Sequence, residues 1–162
     1  MRTVLLIILL SISTLINSTA TQQKEIVLLP EISKENLYKK IVESGVLFPE
    51  IVFSQAILES GHFKSRIFLK NNNLFGMKIP RKRKTFAIGK GKSGYAKYSH
   101  WTYSVDDYIE WQKYLLKDKS ISKESYLTKL SKIYCTNPGY VKRLRQIFKF
   151  YNRLNKQNNE SL

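Results

Sequence analysis

Gln55-Ala56-Ile57-Leu58-Glu59-Ser60-Gly61, followed by Asn71-Asn72-Asn73-Leu74-Phe75-Gly76-Met77-Lys78, is the stretch whose reading decides the fold. From Ile51 to Glu59 the chain is almost wholly apolar. Pro49 suits a first helical position and Gly61 suits a stop, so the segment predicts a helix. A helix that is apolar on nearly every side belongs in a core. Glu59 then stands at the end of a core helix beside glycine, where partial desolvation favours the neutral acid. That is the protonation state a general acid must hold near neutral pH. Taken alone, a glutamate at a helix end fits equally an ion pair with one of the many lysines, or a cap on a neighbouring helix. The pattern around it has to decide.

The chain has 162 residues, enough for one domain with its own core, and carries 28 Lys+Arg against 12 Asp+Glu. Residues 1–20 read as a secretory signal: Arg2 starts it, Val4 to Leu10 is a short apolar run, and Ser18-Thr19-Ala20 offers small residues for cleavage. The run is too short for a secure membrane span, although an uncleaved anchor is the alternative. Residues 21–32 read as a tether, 33–154 as the domain and 155–162 as a polar tail. Export would leave 27 basic residues against 12 acidic ones, which predicts attraction to a polyanion. An anionic cell envelope fits export better than nucleic acid does. Lone Cys135 cannot form an internal disulfide and reads as a small buried residue. Two His and one Cys do not make a zinc site, so neither metal nor cofactor is expected.

Ser33 reads as the N-cap of a helix through Val42 that stops near Gly45, with Leu37, Ile41 and Val42 inward. A short helix is expected from His62 to Leu69, ended by Asn71-Asn72-Asn73, since Asn tolerates left-handed geometry. Met77 to Ser99 is basic and glycine-containing, and reads as a small β-hairpin or irregular flap. Its run Arg81-Lys82-Arg83-Lys84 fits both a solvated face and an anion contact. Ser104-Val105-Asp106-Asp107 looks like a capped helix start. Ser122 caps another helix, through Ile133. Asn137-Pro138 opens the last, with Val141, Leu144, Ile147, Phe148 and Tyr151 at helical spacing.

Leu58-Glu59-Ser60-Gly61 with Lys64-Ser65, then Asn72-Asn73-Leu74-Phe75-Gly76-Met77-Lys78, resembles the glucosaminidase family of peptidoglycan hydrolases, glycoside hydrolase family 73. The resemblance continues through Tyr98–Trp101 and Ser104–Tyr108. It ends with Tyr134-Cys135-Thr136-Asn137-Pro138 and Tyr140, where Cys and Asn replace the family's Ala and Asp. It spans about residues 33–152. It implies a mainly α, lysozyme-like α+β fold: a helical lobe with a small β-hairpin lobe flanking a substrate groove. It implies cleavage of β-1,4 bonds after N-acetylglucosamine in bacterial cell-wall glycan. A monomer without a nucleic-acid partner is expected. The family's catalytic acid falls on Glu59 and its active-site tyrosine on Tyr134. By the same resemblance Asn73, Phe75 and Gly76 build the groove floor. Tyr95, Tyr98, His100 and Trp101 are candidates for an aromatic platform.

Glycoside cleavage usually employs two carboxylates. No Asp or Glu occurs from Ser60 through Val105, so the flap cannot supply the second. Three expectations remain open. The substrate's N-acetyl oxygen attacks, water is positioned by Tyr134, or Asp106 or Asp107 reaches the groove. The first turn of a helix accounts for those two aspartates without any catalytic role.

Overall fold

The computed structural model describes residues 28–160 except Ser93, Asp118 and Thr136; the expected signal and most of the tether lie outside the described residues. The elements in order are α1 (Lys34–Glu43), α2 (Pro49–Glu59), α3 (Arg66–Asn71), β1 (Gly89–Lys90), β2 (Ala96–Lys97), α4 (Trp101–Leu116), α5 (Lys123–Ile133) and α6 (Tyr140–Glu160). Among the described residues no helix is long and apolar enough to cross a membrane.

The second helix is the hub. Pro49 sits in its first turn, and every residue from Ile51 to Ile57 is buried. It packs against α1 on one side and α6 on the other. One apolar cluster joins α1, α2, the Leu74–Phe75 loop and α4, around Leu37, Phe53, Ile57 and Tyr108. A second joins α5 and α6 to Ile51 and Leu116, and Trp111 packs against both. Full burial of one large apolar side chain stabilises by about 1.5–3 kcal/mol, so α2 is fixed mainly by its packing.

Several local expectations need correction. Val42 is half exposed, because the inner stripe of α1 is carried by Leu37 and Ile41. The chain after Glu59 does not enter a helix directly. Gly61, His62 and Phe63 all have positive φ (57°, 55° and 68°), forming a left-handed turn, and α3 begins only at Arg66. Left-handed geometry costs a non-glycine residue about 1–2 kcal/mol. Hydrogen bonds from Ser65 N to Ser60 O (2.8 Å) and from Phe63 N to Ser60 Oγ (3.1 Å) hold the turn. Asn72 closes α3 in the left-handed region, as expected of Asn. Helix α4 starts at Trp101, capped by His100, so Ser104 lies inside it; Ser104 Oγ instead donates to Trp101 O. Pro30 to Ile32, expected within a tether, is docked: Trp101 Nε1 donates to Pro30 O over 2.9 Å, and Ile32 packs on the core. The last helix runs on to Glu160, through much of the expected tail.

The flap is mostly irregular, with only two residues in each strand, paired antiparallel as Gly89↔Lys97 and Lys90↔Ala96. It is fastened to the helical lobe at two buried points. Asn73 Nδ2 donates to Met77 O and Ala96 O, both at 2.9 Å, and its Oδ1 accepts from Met77 N at 3.0 Å. Asp107 on α4 accepts both guanidinium nitrogens of Arg83 (2.9 and 3.2 Å), Phe86 N (3.2 Å) and the Tyr98 hydroxyl (2.8 Å).

Candidate active site

Between flap and helical lobe lies a cleft of about 760 Å3, a size suited to a ligand-binding pocket. Glu59 from α2, Phe75 and Gly76 from the loop after α3, Trp111 and Tyr114 from α4, and Tyr134 at the end of α5 form the helical wall. Lys78, Pro80, Arg81, Lys82, Arg83 and Tyr95 form the flap wall. Among the described lining residues Glu59 is the sole carboxylate.

The last residue of α2 is this glutamate, so a rigid, fully packed helix sets its position. It is partly buried, and its pKa is raised; burial is the main cause, opposed by the Tyr140 hydrogen bond and by the positive charge of Arg143. The Tyr140 hydroxyl donates to Glu59 Oε1 over 3.0 Å. Its own pKa is driven up, by burial first and then by Glu59, so it remains a proton donor at neutral pH.

A buried polar chain continues inward from Tyr140. Gln55, one turn before Glu59, is near enough to the Tyr140 phenol to oppose the rise of its pKa, while its buried Nε2 has no hydrogen-bond partner. Gln55 Oε1 accepts from the Tyr108 hydroxyl at 2.6 Å, and the Tyr108 and Tyr126 hydroxyls are hydrogen-bonded to each other over 2.7 Å. Gln112 Nε2 donates to Tyr126 over 2.8 Å, and its Oε1 accepts from Leu47 N at 2.7 Å. The Glu59–Tyr140 pair thus stands against a hydrogen-bonded row of side chains from α2, α4 and α5.

In the same cleft as Glu59, Tyr134 packs edge-on against Trp111 with ring centroids 5.4 Å apart. It is partly exposed, but close packing pushes its phenol well above the ordinary range, burial first and then Tyr126 and Glu59. Of the expected site residues, the structure brings Glu59, Tyr134, Phe75, Gly76 and Tyr95 to one cleft. Asn73 and Tyr98 are not part of its wall. They are 1% and 0% exposed, and their polar atoms are taken up by the flap backbone and by Asp107. Trp101 is core and His100 is a helix cap. Asp106 is held by Lys40 at 2.6 Å outside the cleft, and Asp107 is fully buried beneath Arg83 and Tyr98, so neither supplies a cleft carboxylate.

Tyr140 and Arg83 have site roles that their sequence positions did not disclose. The phenol lies 81 residues from Glu59 along the chain. Arg83 sits in a run that reads equally well as solvated surface. A separate groove of about 410 Å3, walled by Ile51, Leu127, Leu144 and Phe148, is mainly apolar. Its one carboxylate, Glu50, is paired with Lys123, so it lacks a free acid.

The sequence profile of the glucosaminidase family, described as mannosyl-glycoprotein endo-beta-N-acetylglucosaminidase, matches residues 35–153. The chain belongs to this family. It is therefore a glycoside hydrolase by descent, and a cleft with one partly buried acid fits that class. No curated protein sequence matches the chain. Among solved structures, the catalytic domain of the autolysin Auto from Listeria monocytogenes aligns with a TM-score of 0.54 at 20% identity, covering 78% of this chain and 89% of that one. That likeness shows a shared fold, the lysozyme-like helical lobe with a small β-lobe. A peptidoglycan hydrolase mutant from Sphingomonas sp. A1 aligns with a TM-score of 0.44 at 19% identity, over 69% of this chain and 86% of that one.

Proposed function

We propose that this glucosaminidase is an exported peptidoglycan hydrolase that cleaves the β-1,4 bond after N-acetylglucosamine, with Glu59 as general acid. The observation that carries the reading is Glu59 itself: a carboxylate kept toward its neutral form by burial, at the end of a buried helix, opening into a sugar-sized cleft. Glu59 protonates the leaving glycosidic oxygen as positive charge develops at the anomeric carbon. Tyr134, sharing the cleft, orients the substrate amide or the attacking water through its hydroxyl. Phe75 and Tyr95 offer aromatic faces to sugar rings, and Gly76, with φ +64°, lets backbone approach the substrate.

Because no second carboxylate lines the described cleft, the other half of the reaction falls to the substrate's N-acetyl oxygen or to a held water. Net inversion at the anomeric carbon excludes neighbouring-group attack. Export rests on the first 20 residues, which have the composition of a signal peptide.

The test is digestion of purified peptidoglycan with mass analysis of the fragments, beside Glu59→Gln. Fragments with N-acetylglucosamine reducing ends, lost in the variant, are the expected result. N-acetylmuramic acid ends would keep the hydrolase and change the bond. The missing second carboxylate favours one further reading, a wall-binding domain without activity. No release from several wall types, with binding retained by both proteins, would establish that reading instead.

A further inference from the structure

The flap wall of the cleft is unusual in its charge. From Lys78 to Lys97 the sequence has eight Lys or Arg and no Asp or Glu. Four of these cations, Lys78, Arg81, Lys82 and Arg83, line the same cleft as Glu59. Arg83 is committed to Asp107, and that buried pair fixes the flap against α4. Lys78, Arg81 and Lys82 are exposed, and among the described residues none has a carboxylate within ion-pair distance.

We propose that the cleft selects glycan carrying carboxylates beside the scissile bond, with Lys78, Arg81 and Lys82 as its specificity-determining residues. The inference rests on the glycosidase reading above and names its substrate class more narrowly. Unpaired cations on the cleft wall repel the positive charge that grows at the anomeric carbon. A substrate that brings its own carboxylates neutralises them and removes that penalty. The charge match therefore acts on the chemical step as well as on binding. Two sources present this group in bacterial wall glycan: the lactyl carboxylate of muramic acid in peptide-free strands, and the carboxylates of the stem peptide.

The test compares kcat/KM of the purified protein on peptide-free strands and on peptide-bearing strands. Each is paired with the same material after its carboxylates have been converted to neutral amides, so that shape is kept and charge removed. The second protein is the triple variant Lys78→Gln, Arg81→Gln, Lys82→Gln, which leaves the Arg83 anchor intact. Exposed ion pairs contribute about 0.2–1 kcal/mol each, so three of them give about tenfold preference for the charged form. The wild type should show that ratio at low salt on at least one glycan. The ratio should fall toward unity in the variant and, for the wild type, at about 0.5 M salt, where the Debye length is only a few ångströms. A preference confined to peptide-free strands assigns the lactyl carboxylate, and one confined to peptide-bearing strands assigns the stem peptide. Equal cleavage of charged and amidated glycan by the wild type overturns the inference and leaves the hydrolase standing. So does a variant that loses activity in the same proportion on all four substrates. No cleavage of any glycan by the wild type overturns the hydrolase reading, and this one with it.

Discussion

Replacing Arg83 by Met removes the guanidinium while keeping most of the aliphatic stem. Asp107 would keep the Tyr98 hydroxyl and the Phe86 N–H but lose both charged donors. The carboxylate is 0% exposed and the Arg83 side chain only 8%, so water cannot restore what is lost without opening the flap. Breaking a buried pair by removing one partner costs about 3–5 kcal/mol, a large share of the roughly 5–15 kcal/mol that holds a domain folded. For a domain of this size that lowers Tm by about 10 °C. The loss should be local first. Flap opening frees the backbone around the already exposed Lys78, Arg81, Lys82 and Lys84 to enter a protease, so trypsin should nick there before the helical lobe unfolds. Urea unfolding of Arg83→Met, Asp107→Asn and the double variant measures the coupling directly. A coupling near 2 kcal/mol is expected for two buried, directly bonded partners. A single-variant loss under about 1 kcal/mol with no coupling would show an ordinary exposed ion pair. The anchoring of the flap by Arg83 would then be refuted.

Three further outcomes follow from the same geometry. Glu59→Gln should lower kcat/KM on wall glycan by about 10²–10⁴-fold, the usual contribution of a general acid, while stability is maintained or gained. The sign follows from linkage: a folded-state pKa raised by burial penalises the ionised native protein, so the penalty is absent below the unfolded pKa and complete above the folded one. Urea midpoints of wild type and variant should therefore diverge as pH rises through that window, in the variant's favour. Tyr140→Phe removes a donor that favours the carboxylate, so the alkaline limb of the kcat/KM profile should move to higher pH; an unmoved limb, or one shifted to lower pH, counts against the Tyr140–Glu59 hydrogen bond. Asn73→Ala deletes three buried hydrogen bonds and should cost about 2–4 kcal/mol by urea unfolding, with trypsin sensitivity rising in the flap; a loss below about 0.5 kcal/mol would show that the amide is not a fastener.

Legibility in the sequence followed how local the cause was. Helix α2 was readable because its apolar run is bracketed by Pro49 and Gly61, and the bounds of α5 because Ser122 bonds a backbone N–H three residues on. The start of α4 was misread for a physical reason. Ser104, Asp106 and Asp107 have the spelling of a cap, but their partners are Leu74 N and Trp101 O, Lys40, and Arg83. Long-range bonds had claimed groups that a local rule assigns to the helix end. The same cause moved Asn73 and Tyr98 out of the expected groove: a polar residue in a motif serves a ligand or the fold, and only tertiary partners distinguish the two. Family resemblance puts the expected acid at Glu59, which the structure places on the cleft wall, yet nothing local to it foretold the Tyr140 hydroxyl.

The site divides into a fixed half and an unsupplied half. On the helical side Tyr140 bonds Glu59, and behind this pair Gln55, Tyr108, Tyr126 and Gln112 are bonded to one another in a row. The Tyr140 bond holds the acid in one orientation, and the phenols stay protonated because burial raises their pKa values. On the flap side the fold presents cations and no described carboxylate, while the one acid close beneath, Asp107, is spent on anchoring Arg83. A two-carboxylate mechanism requires its partners at about 5–10 Å across the scissile bond, and this cleft offers only one of them. A cleft that lacks the second carboxylate and carries cations on one wall repels the positive charge that grows at the anomeric carbon. The flap charge is therefore not neutral with respect to the missing group. Negative charge on the substrate offsets that repulsion, and so joins the proposed single-acid chemistry to the proposed choice of glycan.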